Sequence, residues 1–187
     1  MAEWHSVRRL VRAVRSRAGA SAVGGIVKHR IIDTPVGPVT LVVDDDGVLC
    51  GSYLAGQRHH PDPATFGERS DEVAGDAAGQ LAEYFAGKRT SFDLPLAPRA
   101  TEFQRRVWLA LRDVPYGQTV TYGWLAEQVG SPRGSRAVGA AVGRNPISII
   151  VPCHRAVGTS GDLTGYAGGV ERKRFLLDLE GGLLPGL

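Results

Sequence analysis

Ile149-Ile150-Val151-Pro152-Cys153-His154-Arg155 is the stretch from which the rest of this 187-residue chain can be read. An apolar, β-branched run ends at a proline and delivers a cysteine followed by an imidazole and a guanidinium. The run predicts a buried strand that stops at Pro152, because proline lacks the N–H a central strand must donate. Cys153 then stands at the strand's mouth. The thiolate is the nucleophilic form of cysteine, and a neighbouring histidine or cation lowers the thiol pKa from about 8.5 toward neutrality or below. An inert cysteine at a strand end is the alternative, since free cysteine usually packs as a small hydrophobe. The Pro-Cys-His-Arg context favours the reactive reading.

Working outward, the residues before this stretch read as helices. Thr101 is an N-cap with Gln104 as its capping-box partner. Phe103, Val107, Trp108 and Leu111 form the buried stripe of the helix that follows, and Pro115-Tyr116-Gly117 ends it. Thr121 caps a short helix over Tyr122 to Val129, Gly130-Ser131-Pro132 turns the chain, and a second helix runs from about Gly134 to Val142. This is a helix-turn-helix pattern. The second helix is made of small residues (Ala137, Gly139, Ala140, Ala141, Gly143), with Arg136 projecting near its start. Such a helix either approaches another surface closely or packs tightly in a core.

The N-terminal half has a different texture. Ile26 to Ile32, Val39 to Val43 and Val48 to Tyr53 read as strands, separated by the turn signals Thr34-Pro35-Val36-Gly37-Pro38 and Asp44-Asp45-Asp46-Gly47. A helix from about Asp71 to Gly87 carries Leu81, Tyr84 and Phe85 on one face, and Leu94-Pro95-Leu96-Ala97-Pro98 is a linker. Residues 1–25 form a basic extension, with Val7, Leu10, Val11 and Val14 on one helical face and Arg8, Arg12 and Arg15 largely opposite. The organisation expected is therefore a basic extension over 1–25, an α/β domain over 26–98 and a domain over 99–187. The fold class is α/β (α+β): a small N-terminal sheet-and-helix domain, then a mostly helical domain bearing the helix-turn-helix and the cysteine.

Composition narrows the function classes. A hydrophobic content of 43% with 22% charged residues describes an ordinary soluble globular protein. No apolar run reaches the ~18 residues of a membrane span, and no secretory signal core follows the first arginines. Cys50 and Cys153 are too few for a disulfide framework, which points to a reducing, cytoplasmic setting. His59-His60 lacks a third ligand at suitable spacing, so no metal site is expected. The net charge of +3 hides an asymmetry. Residues 1–30 hold seven Lys/Arg against one Glu, residues 31–100 five basic against eleven acidic, and residues 101–187 ten against seven. The acidic middle does not suit a polyanion; the C-terminal half does.

Taken together, these residues resemble the O6-alkylguanine-DNA alkyltransferases, the methylated-DNA–protein-cysteine methyltransferase family. The resemblance runs from Phe103 to about Glu180. It rests on Pro115-Tyr116-Gly117, Thr121-Tyr122, Ser135-Arg136-Ala137-Val138-Gly139, Asn145-Pro146, the Cys153 stretch, Gly165-Tyr166-Ala167-Gly168-Gly169 and Lys173-Arg174-Phe175-Leu176-Leu177. Thr34-Pro35-Val36-Gly37 and Tyr84-Phe85-Ala86-Gly87 look like the family's N-terminal domain.

The resemblance implies direct-reversal repair. The alkyl group of O6-alkylguanine, and of O4-alkylthymine, in double-stranded DNA passes irreversibly to Cys153, one event per molecule and with no cofactor. It implies a helix-turn-helix in the minor groove, with Thr121, Tyr122, Ser135, Arg136, Ala137, Gly139, Ala140, Arg144 and Arg155 facing DNA. Arg136 matches the arginine that fills the gap left by a flipped nucleotide. Tyr122 matches the tyrosine that presses on the target phosphate and can donate a proton or hydrogen bond to the guanine. His154 matches the histidine that reaches the thiol through a water, Glu180 the carboxylate that orients it, and Asn145 the hinge asparagine. Pro152, Ala156, Tyr166 and Ala167 correspond to the base pocket. A monomer is implied, and cooperative loading along DNA is left open.

The chain departs from the pattern in three places. Ala156 stands where a branched valine is usual, Ala167 where some members have serine, and Arg144 adds a phosphate contact before the hinge. Two other function classes are a lesion binder without transfer, which the family's cysteine-lacking members represent, and a cysteine hydrolase using Cys153, His154 and Glu180. Cys153 itself argues against the first. The adjacency of Cys153 and His154 argues against the second, because neighbours in sequence rarely meet as nucleophile and base.

Overall fold

The computed structural model describes residues 27–163 and 165–181, so the basic extension over 1–25 lies outside the described residues. β1 (Lys28–Ile32), β2 (Val39–Val43) and β3 (Leu49–Leu54) form an antiparallel meander. A two-residue strand, β4 (Glu68–Arg69), pairs parallel with β1, giving the order β3-β2-β1-β4. The turns follow from their residues. The Asp44 carboxylate accepts from the amides of Asp46 and Val48, and Gly47 takes φ 75°, a conformation that costs glycine no Cβ clash.

α1 (Gly75–Phe85) covers this sheet with Ala77, Leu81 and Tyr84 buried. It starts four residues later than the periodicity predicts. Ala74 sits in the left-handed region at φ 54° and cannot be part of the helix, so Asp71 to Val73 form a turn instead.

The outer edge of β3 does not face solvent. Ser52 donates its amide to the Pro146 carbonyl at 2.8 Å and accepts from the Ser148 amide at 2.8 Å, while its hydroxyl donates to the Ser148 carbonyl. The Ser148 hydroxyl in turn reaches Gln57 Oε1, which also accepts from the Leu54 amide. The segment just before Cys153 is therefore hydrogen-bonded onto the N-terminal sheet.

α2 (Glu102–Arg112) begins with the expected capping box: Thr101 Oγ1 accepts from the Gln104 amide and Gln104 Oε1 from the Thr101 amide. Val107, Trp108 and Leu111 are buried, and Phe103 packs partly exposed against the same core. Trp108 Nε1 donates to the Ala141 carbonyl at 2.9 Å, tying α2 to α4 (Ser135–Gly143). α3 (Tyr122–Gln128) starts where Thr121 Oγ1 accepts from the Trp124 amide. The short strands β5 (Val120–Thr121) and β6 (Ala156–Val157) pair in parallel, which sets the start of α3 beside the segment leaving Cys153. α5 (Val170–Leu179) closes the described chain.

The run before Cys153 is not a strand, contrary to the sequence expectation. Ile149 and Ile150 form a tight buried turn in which Ile149 takes φ 73°, and a single bridge joins Ser148 to Val151. A β-branched residue in the left-handed region is strained. It is held there because both flanks are fixed, Ile147 and Ser148 on β3 and Val151 by Asn145. Cys153 to Arg155 then form one 3₁₀ turn.

Replacing Thr101 by alanine removes the cap on the helix that carries Trp108. The expected loss is about 1 kcal/mol in urea denaturation, with an unchanged denaturant slope.

Candidate active site

The site is organised around Glu180, which follows the last turn of α5 and is 4% exposed. Its Oε1 accepts from Tyr84 Oη at 2.8 Å, His154 Nε2 at 2.9 Å and Arg155 Nη2 at 2.9 Å. Its Oε2 accepts from Arg155 Nε at 2.9 Å and from the Gly117 amide at 3.2 Å. Burial by itself would raise this carboxyl's pKa. The hydrogen bonds from His154 and Arg155, with their charge, more than reverse it and hold the group at about 2. Gly117 can donate because it is glycine: φ is 73°, and a Cβ there would come within 2.8 Å of the Glu180 carbonyl oxygen.

An ionised Glu180 can only accept, so His154 carries its proton on Nε2 and leaves Nδ1 as a lone pair. His154 is fully buried, and its Nδ1 has no protein hydrogen-bond partner. Burial lowers its pKa against the opposing pull of Glu180, so the ring is neutral at neutral pH. A buried, neutral imidazole with a free lone pair is a general base in waiting.

Cys153 is 4% exposed, and its Sγ accepts from Asn145 Nδ2 at 3.1 Å. The same amide nitrogen donates to Val151 O at 2.8 Å and Ile147 O at 3.3 Å, and Asn145 Oδ1 accepts from the Ile147 amide. One asparagine thus supplies the turn's missing backbone partners and touches the thiol. Burial pushes the Cys153 thiol up; the Asn145 hydrogen bond, the Lys173 charge and the amides of Cys153 and His154 pull it down.

The His154–Glu180 hydrogen bond is the pairing the resemblance implies. Arg155 departs from its expected role: it turns to Glu180, not to the thiol, and is no candidate for a phosphate. It is 6% exposed, and its guanidinium is committed to Glu180 and, through Nη1, to the Val114 carbonyl. An arginine held bidentately on a buried carboxylate is structural.

Lys173 takes the place expected of a neighbouring cation. It is fully buried, donates to the Ala156 carbonyl at 2.5 Å, and has its pKa lowered to about 8 by burial, with Cys153 opposing. The sequence reading passes over it. Its signal is nonetheless present: Lys173, Leu176, Leu177 and Glu180 fall at i, i+3, i+4 and i+7, which puts a cation on the apolar face of α5.

The remaining expected residues fall into two groups. Burial raises the phenols of Tyr122 and Tyr166, and Cys153 contributes to each. Tyr166 is 8% exposed, and its hydroxyl has no protein partner. A Cβ on Gly165 would stand 3.4 Å from Tyr122 Oη, and one on Gly168 2.7 Å from both Leu54 and Tyr166, so this loop approaches through glycines. Pro152 and Ala156 are buried and Ala167 is partly so, with its carbonyl held by the Arg58 amide at 2.8 Å. On α4 the small residues divide. Ala141 is buried with Val138 and Val142, whereas Ser135, Arg136, Ala137, Ala140 and Arg144 are exposed. Gly139 and Thr121 are partly exposed. Among the described residues no cluster of histidine, cysteine and acidic side chains could hold a metal, and no helix is long and apolar enough to cross a membrane.

Residues 102–182 match the 6-O-methylguanine DNA methyltransferase DNA-binding domain, and residues 27–98 match the ribonuclease-like domain of the same proteins. The chain belongs to the methylated-DNA–protein-cysteine methyltransferase family. The methylated-DNA–protein-cysteine methyltransferase of Methanosarcina acetivorans is 48% identical over 153 residues, covering 82% of this chain and 97% of that protein. The Mycobacterium bovis protein of that name is 48% identical over 166 residues, covering 86% and 96%. The crystal structure of Mycobacterium tuberculosis OGT in complex with DNA superposes with a TM-score of 0.75 at 48% identity, over 82% of this chain and 92% of that one. This methyltransferase is thus a DNA-repair protein acting by direct reversal, and DNA is its partner.

Replacing Glu180 by glutamine leaves His154 and Arg155 buried without their carboxylate, at an expected cost of about 3 kcal/mol near neutral pH. Because the folded pKa is depressed to about 2, the wild-type advantage is complete above the ordinary carboxyl value of 4.5 and disappears as pH falls from there toward 2. Denaturation of both proteins across that range should show the gap closing. A gap constant with pH would contradict the ionised-carboxylate assignment.

Proposed function

We propose that this methyltransferase takes the alkyl group of O6-alkylguanine in duplex DNA onto Cys153, once per molecule, acting as a monomer and without a cofactor. The reading rests chiefly on one observation: Glu180 fixes the His154 proton on Nε2 and so leaves Nδ1 as a buried base one residue from a buried thiol. His154, acting through a water, takes the Cys153 proton. Asn145 and Lys173 hold the sulfur's developing charge, and Glu180 stabilises the imidazolium. The thiolate then attacks the alkyl carbon; the new bond is C–S and the bond broken is C–O6. Guanine leaves with its electron pair, and Tyr122 donates a hydrogen bond or proton to it. A thioether has no carbonyl for water to attack and a poor leaving group, so the product persists.

A buried nucleophile cannot reach a base inside a duplex. We therefore read the exposed face of α4 as the DNA surface and Arg136 as the side chain that fills the stack when the nucleotide turns out. Small side chains at Ala137, Gly139 and Ala140 allow close approach to a minor groove, whose degenerate pattern suits a protein that must work in any sequence. Pro152, Ala156, Tyr166 and Ala167 wall the base. With Ala156 and Ala167 in place of larger or hydroxylated residues, O4-alkylthymine is included among the substrates.

Titration with excess DNA carrying O6-methylguanine, followed by intact mass, tests the reading. One methyl per chain, on Cys153, is expected, and none for Cys153→Ser, which should still bind DNA. Multiple turnover would indicate a hydrolase, and methyl on Cys50 would defeat the assignment. His154→Ala should slow single-turnover transfer by about 10²–10⁴-fold.

Arg136→Ala should depress repair of duplex DNA far more than reaction with free O6-benzylguanine. Arg144→Ala should weaken binding to all sequences and reduce the salt dependence by about one ion. Equal duplex repair by Arg136→Ala, with unchanged 2-aminopurine unstacking beside the lesion, would remove the intercalating role.

A further inference from the structure

We infer that Tyr84, on the helix of the N-terminal sheet unit, is a positioning residue for alkyl transfer: its phenol sets the basicity of Glu180 and, through it, of His154. The inference rests on the reading of Glu180 and His154 given above. Tyr84 lies on α1, far in sequence from the cysteine, and does not approach DNA or the base pocket in any role assigned so far. It is nevertheless fully buried, and its Oη donates to Glu180 Oε1 at 2.8 Å, the same oxygen that receives His154 Nε2 at 2.9 Å.

The geometry leaves the phenol little choice. Its ring is wedged among Phe85, Phe92 and Tyr116, at centroid separations of 5.3, 5.4 and 6.1 Å. Tyr116 is itself pinned, with its hydroxyl on the Leu179 carbonyl at 3.1 Å and its ring 5.8 Å from the Arg155 guanidinium. Beside an ionised carboxylate the phenol must be the donor, and burial with the Glu180 charge drives its own pKa far up, so it keeps its proton at any working pH.

The consequence follows from competition at one oxygen. Oε1 takes three donors, Tyr84, His154 and Arg155 Nη2. A carboxylate oxygen offers about two lone-pair directions, so each added donor weakens the others. Tyr84 therefore makes Glu180 less basic than it would be with His154 and Arg155 alone, and that restrains imidazolium formation until the thiol proton arrives. It also gives the N-terminal unit a direct bond into the site, which backbone packing alone would not provide.

The test uses full-length protein with Tyr84→Phe, which keeps the ring and deletes the donor. Single-turnover methyl transfer from duplex DNA is measured from pH 5 to 9, alongside the proton titration of the His154 ring by NMR. Loss of the donor should raise the His154 pKa and move the acidic limb of the rate profile upward by about half a pH unit, with transfer slower by up to about threefold on that limb and little changed at pH 7. Site-specific 3,5-difluorotyrosine at position 84 is a stronger donor of nearly the same shape, and it should move the limb downward; this arm remains decisive if Tyr84→Phe folds poorly. A uniform rate loss with the limb unmoved in both variants would make Tyr84 a packing residue and overturn the inference. Glu180→Gln is measured in parallel. If it leaves the profile as in wild type, the Glu180–His154 relay itself fails; if it shifts the profile while both Tyr84 variants do not, only the inference about Tyr84 fails.

Discussion

A single buried carboxylate holds four separate parts of this chain to one another. Glu180 collects the phenol of α1, the amide of the Pro115-Tyr116-Gly117 turn, and the imidazole and guanidinium of the Cys153 turn. An anion in the interior is tolerated only if its hydrogen-bonding capacity is filled, and here it is filled entirely by protein groups. The arrangement that neutralises the cost of burial also fixes the histidine tautomer. In the proposed mechanism, stability and chemistry therefore draw on one group, and no substitution at Glu180 can separate them cleanly.

The second constraint is the asparagine. Asn145 ends α4 on one side and reaches Val151, Ile147 and Cys153 on the other. α4 and the turn that holds the thiol share this side chain, so a displacement of either is felt by the other through hydrogen bonds rather than through loose packing. The strain at Ile149 is maintained by the same contacts. Residues held in sparsely populated backbone regions persist when their surroundings over-determine them, as they do here.

The helices were legible in the sequence because their signals are local: a capping box at Thr101, a threonine cap at Thr121, and a proline-glycine end to α2. The fold class and the family resemblance followed from such local signals in their order. Two errors have a common physical source. The Ile149–Pro152 run has strand composition but sits in a turn, because its partners are side chains and an edge strand distant in sequence. Arg155 follows the thiol closely in sequence, yet a tight 3₁₀ turn sends its guanidinium away from it, toward a carboxylate 25 residues later. Sequence adjacency says little about which way a side chain points when the backbone is curled. Lys173 was legible only through its place on the apolar face of α5, beside Leu176, Leu177 and Glu180, and burial makes it notable. The expected roles of Arg136, Tyr122 and Tyr166 came through resemblance; the structure adds that Arg136 is exposed and that Tyr166 is buried.

The way β3 is finished has a consequence for the chain as a polymer. Its outer edge is satisfied at Leu49 by Pro95 and Ala97 and at Ser52 by Pro146 and Ser148, all from later in the sequence. An unpaired strand edge is a template for pairing with another molecule. A fragment cut within the 94–98 linker, or a nascent chain not yet synthesised past Ser148, presents that edge bare, with alternate apolar side chains beside it. Self-association is then the competing reaction. Completing the second half of the molecule shields the first half against it, so the order of synthesis leaves this sheet open until the segment around Ser148 has emerged.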